Sequence, residues 1–312
     1  MTCLEETTRK QRLSASAAID SSVAHAPDPA GTGLVPVADG CMWIDERFCR
    51  QLDADGRNTF RSVMETFDGE CMRALKDREN WRLLVDGQTV YLKKHHIRTW
   101  ASRLRARLRL GCGETAARTE ARNVRHLARD GIDAMTLIAF GEQLSADGLL
   151  ESFLLTEGLR GYVQLDHFIA ARFPKRELYR TMPRDLEVIH HMQALIAEVA
   201  RVARRFHESG YNHRDLYCCH FFIKEPEPGR FLVRLIDLQR VQHRRHLRRR
   251  WIVKDLAQLA YSAPRERVKC THKMAFLRAY FGVQKLLPRH KRLIRAVMAK
   301  QQLMELKQGI IP

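Results

Sequence analysis

The stretch His213-Arg214-Asp215-Leu216-Tyr217-Cys218-Cys219-His220-Phe221-Phe222 constrains this chain more than any other. A helix-length pattern runs into it from Arg184 and stops at Gly210. Leu186, Ile189, Met192, Ile196, Val199, Ala203 and Phe206 recur at steps of three and four, the period of one buried helix face. Two β-like runs leave the stretch, Phe221 to Lys224 and Phe231 to Ile236, joined by the turn-forming Glu225-Pro226-Glu227-Pro228-Gly229. The second run ends in Ile236-Asp237-Leu238. One carboxylate thus stands on a loop after a helix, and another closes the next hairpin. Phosphoryl transfer uses such a pair, one to orient a hydroxyl and one to hold a metal on the phosphates.

The order helix, loop, hairpin, second Asp follows the protein-kinase catalytic loop, H-R-D-L-x-x-x-N. Asp215 takes the position of the base, and His220 stands where that motif has its metal-binding Asn. Asp237-Leu238-Gln239 replaces the metal-binding D-F-G. Upstream, Trp81 to Val85 and Val90-Tyr91-Leu92-Lys93 read as two strands around the turn Asp86-Gly87. The second fits the V-A-I-K strand, with Lys93 rather than Lys94 in register as the phosphate-binding lysine. A helix capped by Thr115, with Ala117, Ala121, Val124 and Leu127 on its buried side, carries Glu120 as the partner of that lysine. Met135 to Phe140 is a short strand. Phe153 to Leu159 is a buried strand that breaks at Gly158, with the backbone of Glu157 and Leu159 placed to meet an adenine edge.

The remaining stretches are less specific. Residues 1 to about 40 are rich in Ala, Ser, Thr, Pro and Gly and read as disordered, with order starting near Met42-Trp43-Ile44. Residues 60 to 94 read as strands and turns, with Gly69 as the pivot of a reduced phosphate-covering hairpin. Residues 95 to 110 hold seven His and Arg side chains between Trp100, Leu104, Leu108 and Leu110, and read as a helix with a cationic side and an apolar side. Residues 160 to 183 read as a polar, aromatic connector, and Asp255 as the start of a further helix, where it braces the catalytic loop.

Charge narrows the partners. The net charge is +18, with a pI near 10.0. That favours an anionic partner such as a phosphorylated metabolite, an anionic membrane face or nucleic acid. The densest run, Arg240, Arg244, Arg245, Arg248, Arg249, Arg250 and Lys254, exceeds the local carboxylates. It suits a phosphorylated or carboxylated acceptor, or anionic head groups. No recognised nucleic-acid motif accompanies the charge, so no nucleic acid is expected. The eight Cys form no C-x-x-C pair and read as reduced thiols of a cytosolic protein. No run of 18 apolar residues exists to span a membrane, and Glu5 and Glu6 stand where a secretory signal would be apolar.

The chain resembles the lipopolysaccharide kinases of the Kdo kinase and core-heptose kinase type over about residues 60 to 265. The resemblance rests on Tyr91-Leu92-Lys93, on Glu120-Ala121-Arg122 followed by Gly131-Ile132, and on Phe153 to Glu157. It rests most on His213 to Phe221, on Leu235-Ile236-Asp237-Leu238 with Arg240, and on Val253-Lys254-Asp255-Leu256-Ala257. That family tends to carry His where protein kinases carry Asn, which matches His220. The resemblance implies an α+β, bilobal protein-kinase-like fold. The expected division is a β-rich N-lobe with hinge over 41–159 and a helical C-lobe over 160–312. It implies ATP and Mg²⁺, with Mn²⁺ an alternative because imidazole suits a softer metal. In this reading Asp215 is the base and Asp237 and His220 hold the metal. Lys93, Glu120, Glu157 and Leu159 serve the nucleotide. The implied acceptor is a Kdo or heptose hydroxyl of the lipopolysaccharide inner core, at the cytoplasmic face of the inner membrane. The alternatives are a kinase of this fold with another acceptor, and a basic pseudokinase or binding module.

Overall fold

The computed structural model describes residues 28, 31–37, 40–66, 68–175, 185–244, 246 and 248–307. β1 (Val35–Pro36) and β2 (Met42–Ile44) are followed by two short helices, α1 (Cys49–Ala54) and α2 (Phe60–Met64). β3 (Glu70–Leu75), β4 (Arg78–Val85) and β5 (Gln88–Arg98) form a meander. Helices α3 (Trp100–Arg107) and α4 (Ala116–Arg129) come next, then β6 (Leu137–Leu144) and β7 (Leu149–Glu157). These seven strands make one antiparallel sheet in the order β1-β2-β6-β7-β5-β4-β3. The turn between β4 and β5 has positive φ at both Asp86 and Gly87, 49° and 68°, which is what the Asp-Gly pair permits in a two-residue hairpin.

Period-two alternation sorts the sheet's side chains into two cores. Phe153 and Leu155 of β7 pack with Leu92, Ile138, Leu52, Phe60 and Val63, so α1 and α2 cover one face. Leu154 between them points the other way, joining Phe140 and Trp43 against Ala117, Ala121, Val124 and Leu127 of α4. Truncating any of these fully buried large residues to Ala costs about 2–5 kcal/mol.

The second half is mostly helical. β8 (Val163–Gln164) and α5 (Leu165–Arg172) precede the long α6 (Leu186–Glu208), which Asp185 caps by accepting from the Glu187 and Val188 amides. β9 (Tyr211–Asn212), β10 (Phe221–Glu227), β11 (Arg230–Leu235) and β12 (Gln242–His243) frame the loop of interest. They pair as β11-β10-β8 and β12-β9. Helices α7 (Arg249–Ser262), α8 (Cys270–Phe281) and α9 (Pro288–Lys307) complete the chain.

Several expectations need correction. Most of residues 1–40 lie outside the described residues, as do Phe67, the proposed helix start at Arg184, Arg245 and the last five residues. Within that N-terminal stretch, however, Val35–Pro36 add a strand to β2. Residues 60–64 are helical, because Thr59 and Ser62 form a capping box. Gly69 is not a hairpin pivot: it lies against Arg82 and Leu83, and the β3–β4 turn is Lys76-Asp77. Residues 95–98 are strand rather than helix, since β5 is held on both sides, His95 opposite Arg78 and opposite Ser152. The connector contains α5, whose Leu165, Phe168 and Ile169 are buried at helical spacing. Leu186 is 64% exposed, so the buried stripe of α6 starts later. Helix α7 begins at Arg249, ahead of Asp255.

Candidate active site

Strand β5 points Lys93 and Lys94 to opposite faces of the sheet. Lys94 is fully buried, and its Nζ donates to the carbonyls of Met64 (2.8 Å) and Thr66 (2.5 Å) at the end of α2. Lys93 faces α4 and the loop after β11. Its Nζ donates to Glu120 Oε1 at 2.7 Å and lies 3.5 Å from Asp237 Oδ1. Burial works against the ammonium, but Glu120 and Asp237 outweigh it and hold its pKa above the ordinary lysine value.

Glu120 is itself buried and accepts a second bond, from the Leu238 amide at 3.1 Å. One turn on, Asn123 donates to the carbonyls of Leu238 (2.8 Å) and Val241 (3.1 Å). Helix α4 therefore grips both the lysine and the backbone following Asp237. Asp237 has φ 58° and ψ 58°, a left-handed conformation that turns its carboxylate toward Lys93 and His220. Desolvation would raise its pKa, but Lys93, then His220, His213 and Arg78, bring it below the usual carboxylate value.

The catalytic-type loop is held from beneath. Asp255 is fully buried and accepts from the amides of His213 and Arg214, both at 2.8 Å. His213 is buried, its Nε2 lies 3.1 Å from the Ile236 carbonyl, and burial pushes its pKa down to about 4. It stacks on His220 with ring centroids 5.6 Å apart. His220 Nδ1 lies 2.6 Å from the Asp215 carbonyl, so that nitrogen donates, and Nε2 faces Asp237 Oδ2 at 3.7 Å. Burial lowers the pKa of His220, yet Cys219, the Asp215 carbonyl and Asp237 more than offset this and leave it raised.

The Asp215 carboxylate opens toward solvent between cations. Arg240 Nη1 lies 2.8 Å from Oδ2 and 3.1 Å from Oδ1, and Lys254 Nζ lies 3.8 Å from Oδ1. Lys254 also donates to the Arg214 carbonyl. Burial holds the pKa of Lys254 below its ordinary value despite Asp215, with Arg240 and Arg214 contributing. From the sheet side, Arg78 reaches Gln239 at 3.4 Å. Arg78 was not singled out from sequence, because it sits in an exposed-looking strand far from the loop.

At the β7 end, pairing narrows the expected backbone contacts. The Gly158 amide donates to the Thr89 carbonyl at 2.8 Å, and a Cβ at position 158 would lie 2.7 Å from that oxygen. Only glycine fits there. The Glu157 amide donates to Thr136, and the Leu159 carbonyl accepts from Tyr162. Among the described residues this leaves the Glu157 carbonyl and the Leu159 amide, rather than both groups of each residue, without a backbone partner. In a strand a residue's N–H and C=O point to the same side, so the Glu157 carbonyl faces the Thr136 side.

The site thus gathers Lys93, Glu120, Asp237, His220 and Asp215. Among the described residues no cluster of three or more His, Cys, Asp or Glu side chains forms a ready-made metal cage. Asp237 and His220 instead offer one carboxylate and one imidazole nitrogen on the same side. That donor set fits a divalent cation, which Asp237 and His220 would hold. No disulfide forms among the seven described cysteines.

Known proteins resemble the chain over most of its length. Residues 63–280 match the Lipopolysaccharide kinase (Kdo/WaaP) family. The chain is 34% identical over 230 residues to the lipopolysaccharide core heptose(I) kinase WaaP of Pseudomonas aeruginosa PAO1, covering 73% of this chain and 82% of the relative. It is 31% identical over 250 residues to the enzyme of the same name from Escherichia coli K12, covering 78% and 90%. A solved structure, WaaP in complex with acyl carrier protein, superposes with a TM-score of 0.63 at 31% identity, covering 85% of this chain and 98% of that one.

Proposed function

The chain belongs to the lipopolysaccharide kinase (Kdo/WaaP) family, and we propose that it transfers the γ-phosphoryl group of ATP to a heptose hydroxyl of the lipopolysaccharide inner core. The observation that carries this reading is the convergence of Lys93, Glu120 and Asp237 beside the Asp215–His220 loop. The sheet and the helical part act as two lobes, with the nucleotide between them.

In this mechanism the Glu157 carbonyl and the Leu159 amide take the adenine edge. Lys93, held by Glu120, neutralises nucleotide phosphates. Asp237 and His220 would hold a divalent cation, Mg²⁺ or Mn²⁺, which when bound screens charge on the transferring group. Asp215 orients the acceptor hydroxyl and accepts its proton as the oxygen attacks phosphorus, and ADP leaves. Arg240 and Lys254, already beside Asp215, supply positive charge where the equatorial oxygens gather it.

We place the enzyme on the anionic cytoplasmic face of the membrane that carries its acceptor. Among the described residues no helix is long and apolar enough to cross a membrane. Helix α3 and its extension support peripheral contact instead. Trp100, Leu104, Leu108 and Leu110 are 78%, 47%, 57% and 49% exposed, with Arg103, Arg105, Arg107 and Arg109 between them, and in the helix only Ser102 is buried. An exposed apolar row among guanidiniums suits the head-group region of an anionic bilayer.

The solved relative's complex with acyl carrier protein supports a second partner. An apolar cavity of about 440 Å³ lies among α6, α7, α8 and α9, lined by Leu195, Val199, Leu259 and Val297. It offers room for an acyl chain delivered by such a carrier. Failure of acylated carrier protein to bind the purified enzyme refutes this part.

The decisive experiment is transfer of label from γ-labelled ATP, with Mg²⁺ or Mn²⁺, to lipid A carrying Kdo, to lipid A carrying Kdo and heptose, to free sugars and to a generic protein. Label on heptose, lost in Asp215→Ala and in Asp237→Ala while both variants stay folded, is the expected result. Label on protein or a soluble sugar alone, or normal turnover in either variant, refutes it.

A further inference from the structure

Helix α7 starts in a way that polypeptides usually avoid. Its N-cap is Arg248, which makes no side-chain cap bond, and its first turn has no acidic residue but holds Arg249 and Arg250. The N-terminus of a helix carries about half a positive charge and favours anions, so three consecutive arginines there repel both the dipole and one another. The crowding is compounded around Trp251. The guanidinium carbons of Arg250, Arg214 and Arg244 lie 4.7, 4.8 and 5.2 Å from its ring centroid.

Among the described residues, no carboxylate forms an ion pair with Arg214, Arg244 or Arg250, and the only side-chain hydrogen-bond acceptor of Arg244 is the neutral Gln242, at 2.9 and 2.5 Å. Arg214 Nε and Arg248 Nε and Nη2 are buried with no hydrogen-bond partner among the described residues. Leaving a buried guanidinium N–H unmade is costly. A guanidinium lying against an indole still directs its N–H donors outward in the plane, the geometry that takes an oxyanion through two bonds. Arg250, Trp251 and Lys254 also line a surface cavity of about 610 Å³, with Lys300 of α9 on its wall.

The cavity adjoins the reacting centre. Lys254 bridges the two, bonded to the Arg214 carbonyl and 3.8 Å from Asp215 Oδ1. Arg214 itself has φ 72°, a conformation that a non-glycine residue adopts only when its surroundings impose it, here Asp255 on its amide and Lys254 on its carbonyl. We infer that the Arg214–Arg244–Arg250 cluster around Trp251 is an oxyanion site that binds a carboxylate or phosphate of the acceptor, next to the hydroxyl that is phosphorylated. The inference deepens the glycolipid-kinase reading and rests on it. It explains why an anionic saccharide would be chosen over a neutral sugar with the same hydroxyl.

The test combines acceptor kinetics with direct binding. Arg250 is exposed and Arg244 half-buried, so Arg244→Ala and Arg250→Ala should fold, checked by thermal melting. Each should raise the KM for lipid-linked acceptor about tenfold or more, leaving the KM for ATP unchanged. Inorganic phosphate should compete with the acceptor in the unmodified enzyme and bind it by calorimetry, and do neither in the double variant. Two altered acceptors identify the group: one with the lipid A phosphates removed, one with its sugar carboxylates esterified. The variants' KM penalty should vanish with one of them. An unchanged acceptor KM, phosphate binding retained in the double variant, or a penalty indifferent to both alterations overturns the site. Absence of transfer to any lipid-linked sugar by the unmodified enzyme overturns the glycolipid reading instead, and phosphate binding still decides the oxyanion site.

Discussion

Asp255 is the residue whose loss the structure lets one cost most directly. Its buried carboxylate accepts from the His213 and Arg214 amides at 2.8 Å each, and lies 3.3 Å from His207 Nε2. Asp255→Ala leaves two buried N–H groups without an acceptor. Hydrogen bonds to charged groups contribute about 1.5–3 kcal/mol each, so the two together are worth roughly 3–6 kcal/mol. A domain's whole stability is about 5–15 kcal/mol. Asp255→Asn is the informative control. Its amide oxygen satisfies one N–H while its NH₂ opposes the other, so about half the penalty or more remains. Urea denaturation followed by tryptophan fluorescence measures both. Turnover should fall further than stability alone requires, because the same two bonds aim Asp215, and a displacement of about 1 Å at a reacting group costs on the order of 10²-fold. If both variants lie within about 1 kcal/mol of the parent and turn over normally, Asp255 does not hold this loop.

The other predictions concern metal and membrane. His220 must lose its proton before Nε2 can donate to a cation, and its pKa is raised above 6.5, so activation by metal should weaken as pH falls through a value above 6.5. His220→Asn should remove that limb of the pH profile and shift preference from Mn²⁺ toward Mg²⁺; an unchanged profile would exclude His220 from the metal site. The same raised pKa gives a stabilising increment that is fully present below pH 6.5 and lost as pH rises through the folded value, to be read from melting temperature against pH in the metal-free protein. Binding to anionic liposomes should fall steeply with added salt, since exposed charges are screened over about 8 Å at physiological ionic strength, and Trp100→Ala with Leu104→Ala should weaken it further. Salt-independent binding, or none, removes the membrane contact.

What could be read from the sequence was whatever local spacing encodes. Asp215 and His220 are five positions apart on one loop, and their contact through the Asp215 carbonyl is a local event. Thr115 caps α4 because its hydroxyl is three residues from the Arg118 amide, and that cap sets which face Glu120 occupies. The failures were of longer reach. His95 to Arg98 have helix-compatible spacing, yet β7, some 50 residues on, captures them as strand. Arg78 arrives beside Gln239 from a separate segment, and nothing in its neighbours announces the meeting, while the contact of Arg240 with Asp215 was legible only as part of a basic run. The Arg-Trp cluster was legible only as charge density: Arg214, Arg244 and Arg250 belong to three different segments, and their focus on one indole is a product of the fold.

The location of unbalanced charge ties these observations together. A net charge of +18 could have been spread evenly over a solvated surface, where it would carry no information about sites. Within the cleft it is not spread: Lys93 is matched by Glu120 and Asp237, and Arg240 and Lys254 by Asp215. Arg118, Arg201 and Arg204 have carboxylate partners of their own. Among the described residues two conspicuous concentrations remain without carboxylate partners, around α3 and around Trp251. Each is paired with a feature that solvation alone does not explain, exposed leucines and tryptophan in the first and the buried, unmade Arg214 Nε–H in the second. An acceptor anchored in an anionic bilayer and carrying its own oxyanion supplies the missing partner of both. A neutral soluble sugar supplies neither, so the two surfaces argue jointly for a glycolipid over any acceptor that meets only the cleft.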